Sequence, residues 1–171
     1  LHYQPVVRVE DNMVIAFEAL MRWDHPERGP VSPALFIPIA EESNLIIPLG
    51  EWALREACAR AATWPENVSV TVNIASAQFS HSGFLTAITQ AIASAGIAPE
   101  RLELEFTESI FSADEDLARE TFADLRRLGV RTTLDNFGSG YSPLAYLRNV
   151  HFDKIKIDRT LVQEMTLPGS R

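Results

Sequence analysis

The sequence RTTLDNFGSGY, residues 131–141, joins a short run of threonine and leucine to a loop that contains two glycines. Threonine and leucine pack well on a pleated surface, whereas Asn136, with Gly138 and Gly140 after it, does not continue a strand comfortably. We therefore predict a strand over residues 131–135 that ends at Asp135. In α/β folds the catalytic residues lie at the carboxyl ends of strands, which makes Asp135 a candidate for chemistry. The alternative is that Asp135 only caps a turn or the next helix.

Outward from this stretch, the chain alternates predicted strands with predicted helices. Residues 1–9 and 13–20 are apolar runs separated by three polar residues, and a connection this short predicts an antiparallel pair. Further strands are predicted at 68–74, 102–106 and 154–157. The first predicted helix starts at Pro33, and Pro38 breaks or kinks it. Another helix follows a capping box at 112–115 and stops at Gly129. Further helices are predicted at 49–64, at 84–95, at 142–147 and from Arg159 onwards. This alternation predicts an α/β fold with a mostly parallel sheet, open or closed into a barrel.

The composition is typical of one soluble globular domain, with 171 residues of which 46% are hydrophobic and 22% are charged. A net charge of −8 disfavours non-specific binding to nucleic acid, which uses a basic face, so an anionic ligand would need help such as metal ions. Cys58 is the only cysteine, so no internal disulfide forms; we expect it to pack in the core and predict a reducing, cytoplasmic compartment.

Membrane contact is not predicted for this chain itself, because no apolar run reaches the roughly 18 residues of a membrane span. The chain starts at Leu1 rather than at methionine. We interpret it as a domain of a longer protein, whose membrane attachment, if it has one, would lie outside this sequence.

Polar residues recur where the predicted strands end. Three carboxylates and an amide converging on one mouth would repel one another unless cations sat among them. Ligation by oxygen alone suits Mg²⁺ or Mn²⁺, and a lysine beside such a site would stabilise developing charge. The residues are Glu18, Asn73, Glu105, Asp135 and Lys156. For Lys156 the alternative is a local ion pair with Asp158 or another nearby carboxylate.

Several motifs together resemble the EAL domain, a family of cyclic di-GMP phosphodiesterases named for a Glu-Ala-Leu triplet. The triplet stands in FEALMRW, residues 17–23, and would be a weak signal alone. The other motifs follow in the family's order and spacing over essentially the whole chain. They are LHYQPVV (1–7), FIPIAEE (36–42), VNIAS (72–76), LELEFTES (102–109), LDNFGSGYSPLAYL (134–147) and KIKIDR (154–159).

The resemblance implies a modified (β/α)8 barrel whose first strand is antiparallel to the others. It also implies Mg²⁺- or Mn²⁺-dependent hydrolysis of cyclic di-GMP to linear pGpG. By matching motifs, the implied metal ligands are Glu18, Asn73, Glu105 and Asp135. Lys156 matches the lysine that orients the attacking water, and Glu18 and Glu108 are implied to be catalytic with it.

The substrate contacts and the dimer are also implied by the resemblance alone. Arg22 matches an arginine that contacts a ligand phosphate, and Gln4 matches a glutamine near the nucleotide. Glu108 matches the glutamate that holds the loop over residues 136–142, which in the family couples the site to a homodimer interface. For Gln4 and Glu108 the alternative is ordinary hydrogen bonding at a strand end and in a loop.

Two departures from the family pattern bear on activity. The family has two consecutive aspartates before Phe-Gly, the second serving a second metal, whereas this chain has Asp135 followed by Asn136. The neutral amide of Asn136 is a weaker ligand, so we expect weaker binding of the second metal. A complete barrel has about 250 residues, whereas we predict roughly six strands here. We therefore expect an EAL domain over residues 1–171 that lacks its C-terminal strands.

Two alternative functions remain from the sequence. One is a catalytically degenerate domain that binds cyclic di-GMP as a receptor, which Asn136 and the absent strands favour. The other is an unrelated α/β interaction domain, which requires that the polar strand ends do not converge. The retained Glu18, Asn73, Glu105 and Lys156 favour the enzyme.

Overall fold

The computed structural model describes residues 1–112, 115–138 and 150–165. The strands are β1 (His2–Val7), β2 (Val14–Leu20), β3 (Trp23–His25), β4 (Gly29–Val31), β5 (Ser69–Ile74), β6 (Leu102–Phe106), β7 (Arg131–Phe137) and β8 (Lys154–Ile157). The helices are α1 (Pro33–Glu42), α2 (Ile46–Ala61), α3 (Ser76–Phe79), α4 (Phe84–Ala95), α5 (Glu115–Leu128) and α6 (Arg159–Met165). Short 3₁₀ turns cover Pro99–Arg101 and Glu108–Ser112.

One sheet of six strands, in the order β1-β2-β5-β6-β7-β8, organises the described residues. The first pair, β1 and β2, is antiparallel, and every later pair is parallel. This arrangement confirms the predicted hairpin and the predicted parallel sheet. Because the strands from β2 onwards run the same way, their carboxyl ends all lie at one edge of the sheet.

The sheet is strongly curled. Strands in a flat sheet lie about 4.8 Å apart, so β2 and β8, which are four places apart, would be separated by roughly 19 Å. Instead, the ammonium nitrogen of Lys156 on β8 lies 3.0 Å from a carboxylate oxygen of Glu18 on β2. The curl confirms a barrel-type fold, and with six strands in place of eight it is a half barrel.

The two faces of the curled sheet differ in chemistry. The outer face packs on α2, α4 and α5 through an apolar core that includes Leu54, Val70, Ile88, Leu104 and Leu125, and Cys58 is buried in the same core. The inner face carries polar side chains at alternate positions of the strands. In β6, for example, Glu103 and Glu105 are buried on the opposite side from Leu102, Leu104 and Phe106. TIM-barrel interiors are usually filled by branched apolar residues, so this lining indicates a functional interior.

Two helix predictions need correction. Pro38 does not break α1, which runs from Pro33 to Glu42 with Pro38 inside it. Both Pro38 and Ala34, whose carbonyl loses its partner, are exposed, so water can satisfy that carbonyl. The second helix begins at Ile46 rather than at residue 49, because Pro48 lies in the first turn, where its missing N–H is not needed.

Short elements were not predicted, and part of two predictions cannot be compared with the structure. The two-stranded β3–β4 hairpin and the four-residue α3 were not predicted, because they are too short to show a periodicity. The predicted helix at 142–147 lies outside the described residues, as does most of the loop at 136–142. The helix at 84–95 and the strand at 154–157 are confirmed as predicted.

The sheet is open along both outer strands. Within the described part of the chain, β1 and β8 each pair with one neighbour only. Val7 in β1 is 50% exposed and Ile157 in β8 is 55% exposed, as expected of an incomplete barrel. None of the helices in the described ranges has the length and the apolar character that crossing a bilayer requires.

Candidate active site

A β-bulge shapes the carboxyl end of β7, where we predicted that the strand stops at Asp135. The strand instead continues to Phe137. Leu134 pairs with Ile155 and Phe137 pairs with Ile157, so Asp135 and Asn136 together face the single residue Lys156. Asn136 has a φ of 55°, a left-handed conformation that asparagine tolerates better than most residues. The predicted strand end was therefore wrong by two residues, because a bulge absorbs the extra residue without ending the pairing.

The Lys156 ammonium lies at the centre of a cluster of carboxylates. Its Nζ is 2.9 Å from Oε2 of Glu105 and 3.0 Å from Oε2 of Glu18. It is 3.6 Å from Oδ1 of Asp135. These acids come from β2, β6 and β7, so the curl of the sheet brings together residues that are far apart in sequence. Among the described residues the ion pairs of Lys156 are with these three acids, and Asp158 instead accepts a hydrogen bond from the backbone N–H of Thr160.

Asn73 completes the cluster from the carboxyl end of β5. Its Nδ2 donates a hydrogen bond of 2.9 Å to Oε1 of Glu18, whose other oxygen accepts from Lys156. Asn73 is also directly paired with Glu105 in the sheet. The structure therefore gathers Glu18, Asn73, Glu105, Asp135 and Lys156, and the alternative that the polar strand ends do not converge does not hold.

The charges in the cluster depend on burial. Burial raises the pKa of Glu105 to about 7, and Glu18 and Asp135 add to the rise while the hydrogen bond from Lys156 opposes it. For Lys156, burial lowers the pKa, but hydrogen bonds and charge interactions with Glu105 and Glu18 outweigh this, and the net pKa is raised. Lys156 is therefore a protonated donor in this arrangement. It can hold and orient an oxygen, but it is a poor proton acceptor.

The donor set fits a hard divalent cation. Within the described ranges, no three acidic, histidine or cysteine side chains already form a metal-binding group. The reason is visible in the geometry, because the Lys156 ammonium itself occupies the centre of the acids as a cation would. All the other groups present oxygen, which suits Mg²⁺ or Mn²⁺, provided that Asn73 turns its amide oxygen inward. Asn136, beside Asp135 in the bulge, is a further oxygen donor at this edge.

The residues predicted to contact the substrate lie on the β1–β2 side of the cluster. Gln4 is exposed and sits directly opposite Glu18 in the antiparallel pair, so both side chains leave the same face of the sheet. Arg22 is exposed and follows β2 by two residues, with its Nη1 donating a 2.7 Å hydrogen bond to the carbonyl of Met21. Both residues therefore lie at the rim near Glu18. Neither the Arg22 guanidinium nor the Gln4 amide occupies the centre of the acids.

Glu108 lies in the 3₁₀ turn that follows β6, three residues after Glu105, and is half-buried. A chain of hydroxyl groups anchors this turn: Ser109 Oγ lies 2.7 Å from Thr107 Oγ1 and 2.9 Å from Ser76 Oγ, which follows β5. Of the loop that Glu108 is predicted to hold, only residues 136–138 are described. At its start Gly138 has a φ of 91° and packs against Leu161, where a Cβ would collide.

A second polar layer beneath the cluster was missed by the sequence analysis. Glu103, two residues before Glu105, accepts hydrogen bonds from Thr133 Oγ1 at 2.7 Å and from Lys154 Nζ at 2.5 Å. Lys154 stands two residues before Lys156 on β8. The alternation in LELE and KIK carried the signal, because residues two apart in a strand share a face.

Comparison with known proteins adds independent information. The EAL domain family model matches residues 1–170. The chain is 37% identical over 169 residues to the bifunctional diguanylate cyclase/cyclic di-GMP phosphodiesterase MucR of Pseudomonas aeruginosa. It is also 37% identical over 175 residues to the cyclic di-GMP phosphodiesterase NbdA of the same organism. A solved structure of the MucR phosphodiesterase in complex with c-di-GMP superposes with a TM-score of 0.91 at 36% identity.

The matched proteins are longer than this chain. Alignment covers 96% of the chain but 25% of MucR, and 100% of the chain but 22% of NbdA. The superposition on the solved MucR structure covers 98% of this chain and 69% of the MucR chain in that structure. The similarity therefore includes nearly all of the described fold and a minor part of each whole relative.

Proposed function

Because the chain belongs to the EAL domain family, we propose that it hydrolyses cyclic di-GMP to linear pGpG in bacterial second-messenger signalling in the cytoplasm. The observation that carries the proposal is the ring of Glu18, Glu105 and Asp135 around the Lys156 ammonium. The similarity to MucR and NbdA, both named as cyclic di-GMP phosphodiesterases, supports it.

The reaction would need a divalent cation, and the chain offers residues to hold one. We propose that Glu18, Asn73, Glu105 and Asp135 hold Mg²⁺ or Mn²⁺ at the cluster, with Asn136 as a ligand of a second ion. When bound, such a cation would neutralise phosphate charge and lower the pKa of a water molecule. Lys156 would have to yield the centre of the acids to the cation while remaining at its edge.

Lys156 orients the attacking water in this proposal. Its raised pKa keeps the ammonium protonated, and its N–H donors bond the carboxylate oxygens of Glu18 and Glu105, beside which the attacking water would lie. Water adds to one phosphodiester, its oxygen forms a bond to phosphorus, and the P–O bond to the leaving ribose oxygen breaks. One proton of the water ends on the leaving ribose oxygen and the other in solvent, and the linear product keeps both phosphates, one as the new terminal monoester and one as the uncleaved phosphodiester. Glu108 would act by holding the loop at 136–142.

Substrate binding is assigned to the rim of the cluster. Arg22 would contact a phosphate of cyclic di-GMP, because a guanidinium forms paired, charge-assisted hydrogen bonds with phosphate oxygens. Gln4, opposite Glu18 on β1, would lie near the nucleotide. In a chain of net charge −8, this exposed arginine and the bound cations would supply the local attraction for an anionic ligand.

Homodimerisation through the surface beside the 136–142 loop is also proposed, because the family couples that loop to dimer formation. The mass of the full-length protein, measured by analytical ultracentrifugation with ligand and metal, should rise towards a dimer at micromolar concentrations. A monomeric mass over the whole concentration range would contradict this assignment.

A receptor that binds cyclic di-GMP without cleaving it is the second candidate function, and Asn136 is the observation that favours it. An amide in place of a carboxylate removes one negative charge from the second cation site but leaves an oxygen that can coordinate. The enzyme proposal therefore requires weaker binding of the second cation, rather than loss of activity.

The change Asn136→Asp separates the two candidates. We expect the full-length protein to release pGpG, and the aspartate variant to reach its half-maximal rate at a several-fold lower Mg²⁺ or Mn²⁺ concentration, because a carboxylate binds hard cations more tightly. The measurement is chromatography of pGpG over a metal titration for both forms. Asn12→Asp is the matched control, since Asn12 has a φ of 56° in the turn at the far end of β1 and β2.

The titration also gives the result that would overturn the enzyme assignment. If the protein binds cyclic di-GMP by calorimetry but forms no pGpG at any metal concentration, it is a receptor. The control variant must give the same metal dependence as the unmodified protein, because Asn12 lies away from the cluster.

A further inference from the structure

A second acid–lysine pair lies beneath the candidate active site and has no part in the proposed reaction. Glu103 on β6 and Lys154 on β8 each stand two residues before a member of the upper cluster, Glu105 and Lys156. Lys154 Nζ donates to Oε2 of Glu103 at 2.5 Å. Lys154 and Lys156 are the only lysines among the 15 Lys and Arg residues of the chain.

Glu103 is committed to this pair. Glu103 is 3% exposed, and both of its carboxylate oxygens accept hydrogen bonds, one from Thr133 on β7 and one from Lys154 on β8. The contact thus crosses β7 and ties two strands that are not direct neighbours. A buried carboxylate without a cation is strongly unfavourable, so any arrangement that separates Glu103 from Lys154 is disfavoured.

The register of β8 links the Glu103–Lys154 pair to the cluster around Lys156. Side chains in a strand repeat every two residues, so a shift of β8 by two residues would keep its lysines facing inward. In one direction Lys154 would move to Glu105 and Glu103 would lose its cation. In the other direction Lys156 would move to Glu103, and Asp158 would take its place beside Glu105.

The weak pairing of β8 makes such a shift relevant. In the described residues β8 has only four residues, and its pairing with β7 is interrupted by the bulge at Asp135 and Asn136. Backbone pairing alone therefore specifies its register poorly. Two acid–lysine pairs in line specify it well, because only one register satisfies both.

We propose that Glu103 and Lys154 are positioning residues that fix the register of β8 and so hold the Lys156 ammonium among Glu18, Glu105 and Asp135. The register itself follows from the geometry. Its effect on turnover rests on the proposed phosphodiesterase function. Neither residue touches the reacting atoms, so their effect on catalysis passes through Lys156.

The kinetic test compares Lys154→Met with Lys154→Arg in the full-length protein. We expect the methionine variant to lower kcat roughly 10- to 100-fold, since small misplacements of a catalytic group have effects of this size. KM should stay the same, because Gln4 and Arg22 lie on the opposite, β1–β2 side. Arginine keeps the charge and should restore most of kcat. Arg119→Met, which removes an exposed ion pair of 3.1 Å with Asp116, is the control and should change neither constant.

A double variant tests whether a lowered kcat results only from misfolding. Glu103→Gln combined with Lys154→Met leaves no unpaired charge in the interior, and its thermal melting should resemble that of the unmodified protein. It should still show the lowered kcat, because the register contact is gone. If a folded double variant and Lys154→Met both turn over as fast as Arg119→Met, the proposal is wrong.

The reactivity of Lys156 gives a readout that does not depend on hydrolysis. In Lys154→Met, Lys156 is the only lysine left in this chain, so its labelling by an amine-reactive succinimidyl ester can be followed by mass spectrometry of one peptide. Release of Lys156 from its acids leaves its amine free to react, so labelling in Lys154→Met should be several-fold faster than in the unmodified protein, and Lys154→Arg should not change it.

The labelling of Lys156 distinguishes failure of the positioning proposal from failure of the phosphodiesterase proposal. If the unmodified protein forms no pGpG but Lys154→Met speeds the labelling of Lys156, the positioning inference holds and the phosphodiesterase assignment fails. If pGpG forms normally and Lys156 is labelled at the same rate in both proteins, the positioning inference is overturned and the phosphodiesterase assignment stands.

Discussion

Replacement of Lys156 by methionine is expected to lower the turnover of cyclic di-GMP by about 10²- to 10⁴-fold, the range typical of a positioned proton-transfer or charge-stabilising group. The physical reason is that the ammonium, 2.9 Å from Glu105 and 3.0 Å from Glu18, is the hydrogen-bond donor at the centre of the cluster. Methionine has a similar length without the charge or the donors. The measurement is kcat from pGpG release at saturating Mn²⁺.

Metal binding distinguishes catalysis by Lys156 from simple charge balance. Lys156 competes with a cation for the same carboxylates, so Lys156→Met should bind Mn²⁺ as tightly as the unmodified protein or more tightly. Activity should therefore stay low however much Mn²⁺ is added. Full recovery of kcat at high Mn²⁺ would mean that Lys156 only neutralises the acids. Arg55→Met, on the exposed surface of α2, serves as the control for an unrelated lost cation.

The convergence of the cluster was predictable because it depends on topology more than on local conformation. Parallel strands place their carboxyl ends at one edge of a sheet, so polar residues at those ends meet once the alternation of strands and helices is recognised. Glu18, Glu105 and Asp135 follow this rule. The antiparallel hairpin at the start was equally accessible, since a three-residue polar turn permits no other pairing.

The errors concern places where context overrides a local preference. The strand β7 was expected to end at Asp135, but the left-handed backbone of Asn136 fits inside a bulge and the pairing resumes at Phe137. Pro38 was expected to break or kink α1, and it does not break the helix, because Ala34, whose carbonyl loses its partner, is exposed and water can satisfy that carbonyl. Residue preferences do not reveal whether a neighbouring strand or solvent will satisfy the backbone, so these outcomes required the structure.

The lower layer of the interior was missed for a different reason. Glu103 and Lys154 stand in the same strands as Glu105 and Lys156, but only the later residue of each pair lies at a strand end. Position at a strand end therefore does not indicate the residues one step inside. The shared face of residues two apart would have indicated them, and the ion pair of Lys154 with the buried Glu103 shows that the next inward position is also occupied by charge.

The second large effect is expected for Glu105→Gln, which should weaken Mn²⁺ binding by at least about 100-fold, because even residues that only support a metal ligand contribute 10- to 100-fold. Glu105 is the most deeply placed acid of the cluster, with a pKa raised by burial from 4.5 to about 7. Protons therefore compete with the cation near neutral pH. In the unmodified protein the apparent affinity for Mn²⁺ should rise with pH until about 7 and then level off. Calorimetry between pH 6 and 8 measures both effects.

The same shift predicts how the metal-free protein responds to pH. The folded state binds the Glu105 proton more tightly than the unfolded state does, so the stabilisation from this group is complete below pH 4.5 and is lost as the pH rises through about 7. Glutamine stays neutral at every pH, so Glu105→Gln should melt at nearly the same temperature at pH 6 and pH 8, whereas the unmodified protein melts lower at pH 8. Glu51→Gln, on the exposed face of α2, should leave the pH dependence and the Mn²⁺ affinity unchanged. A Glu105→Gln variant that kept the unmodified pH dependence of Mn²⁺ binding would show that another group in the cluster takes up the proton.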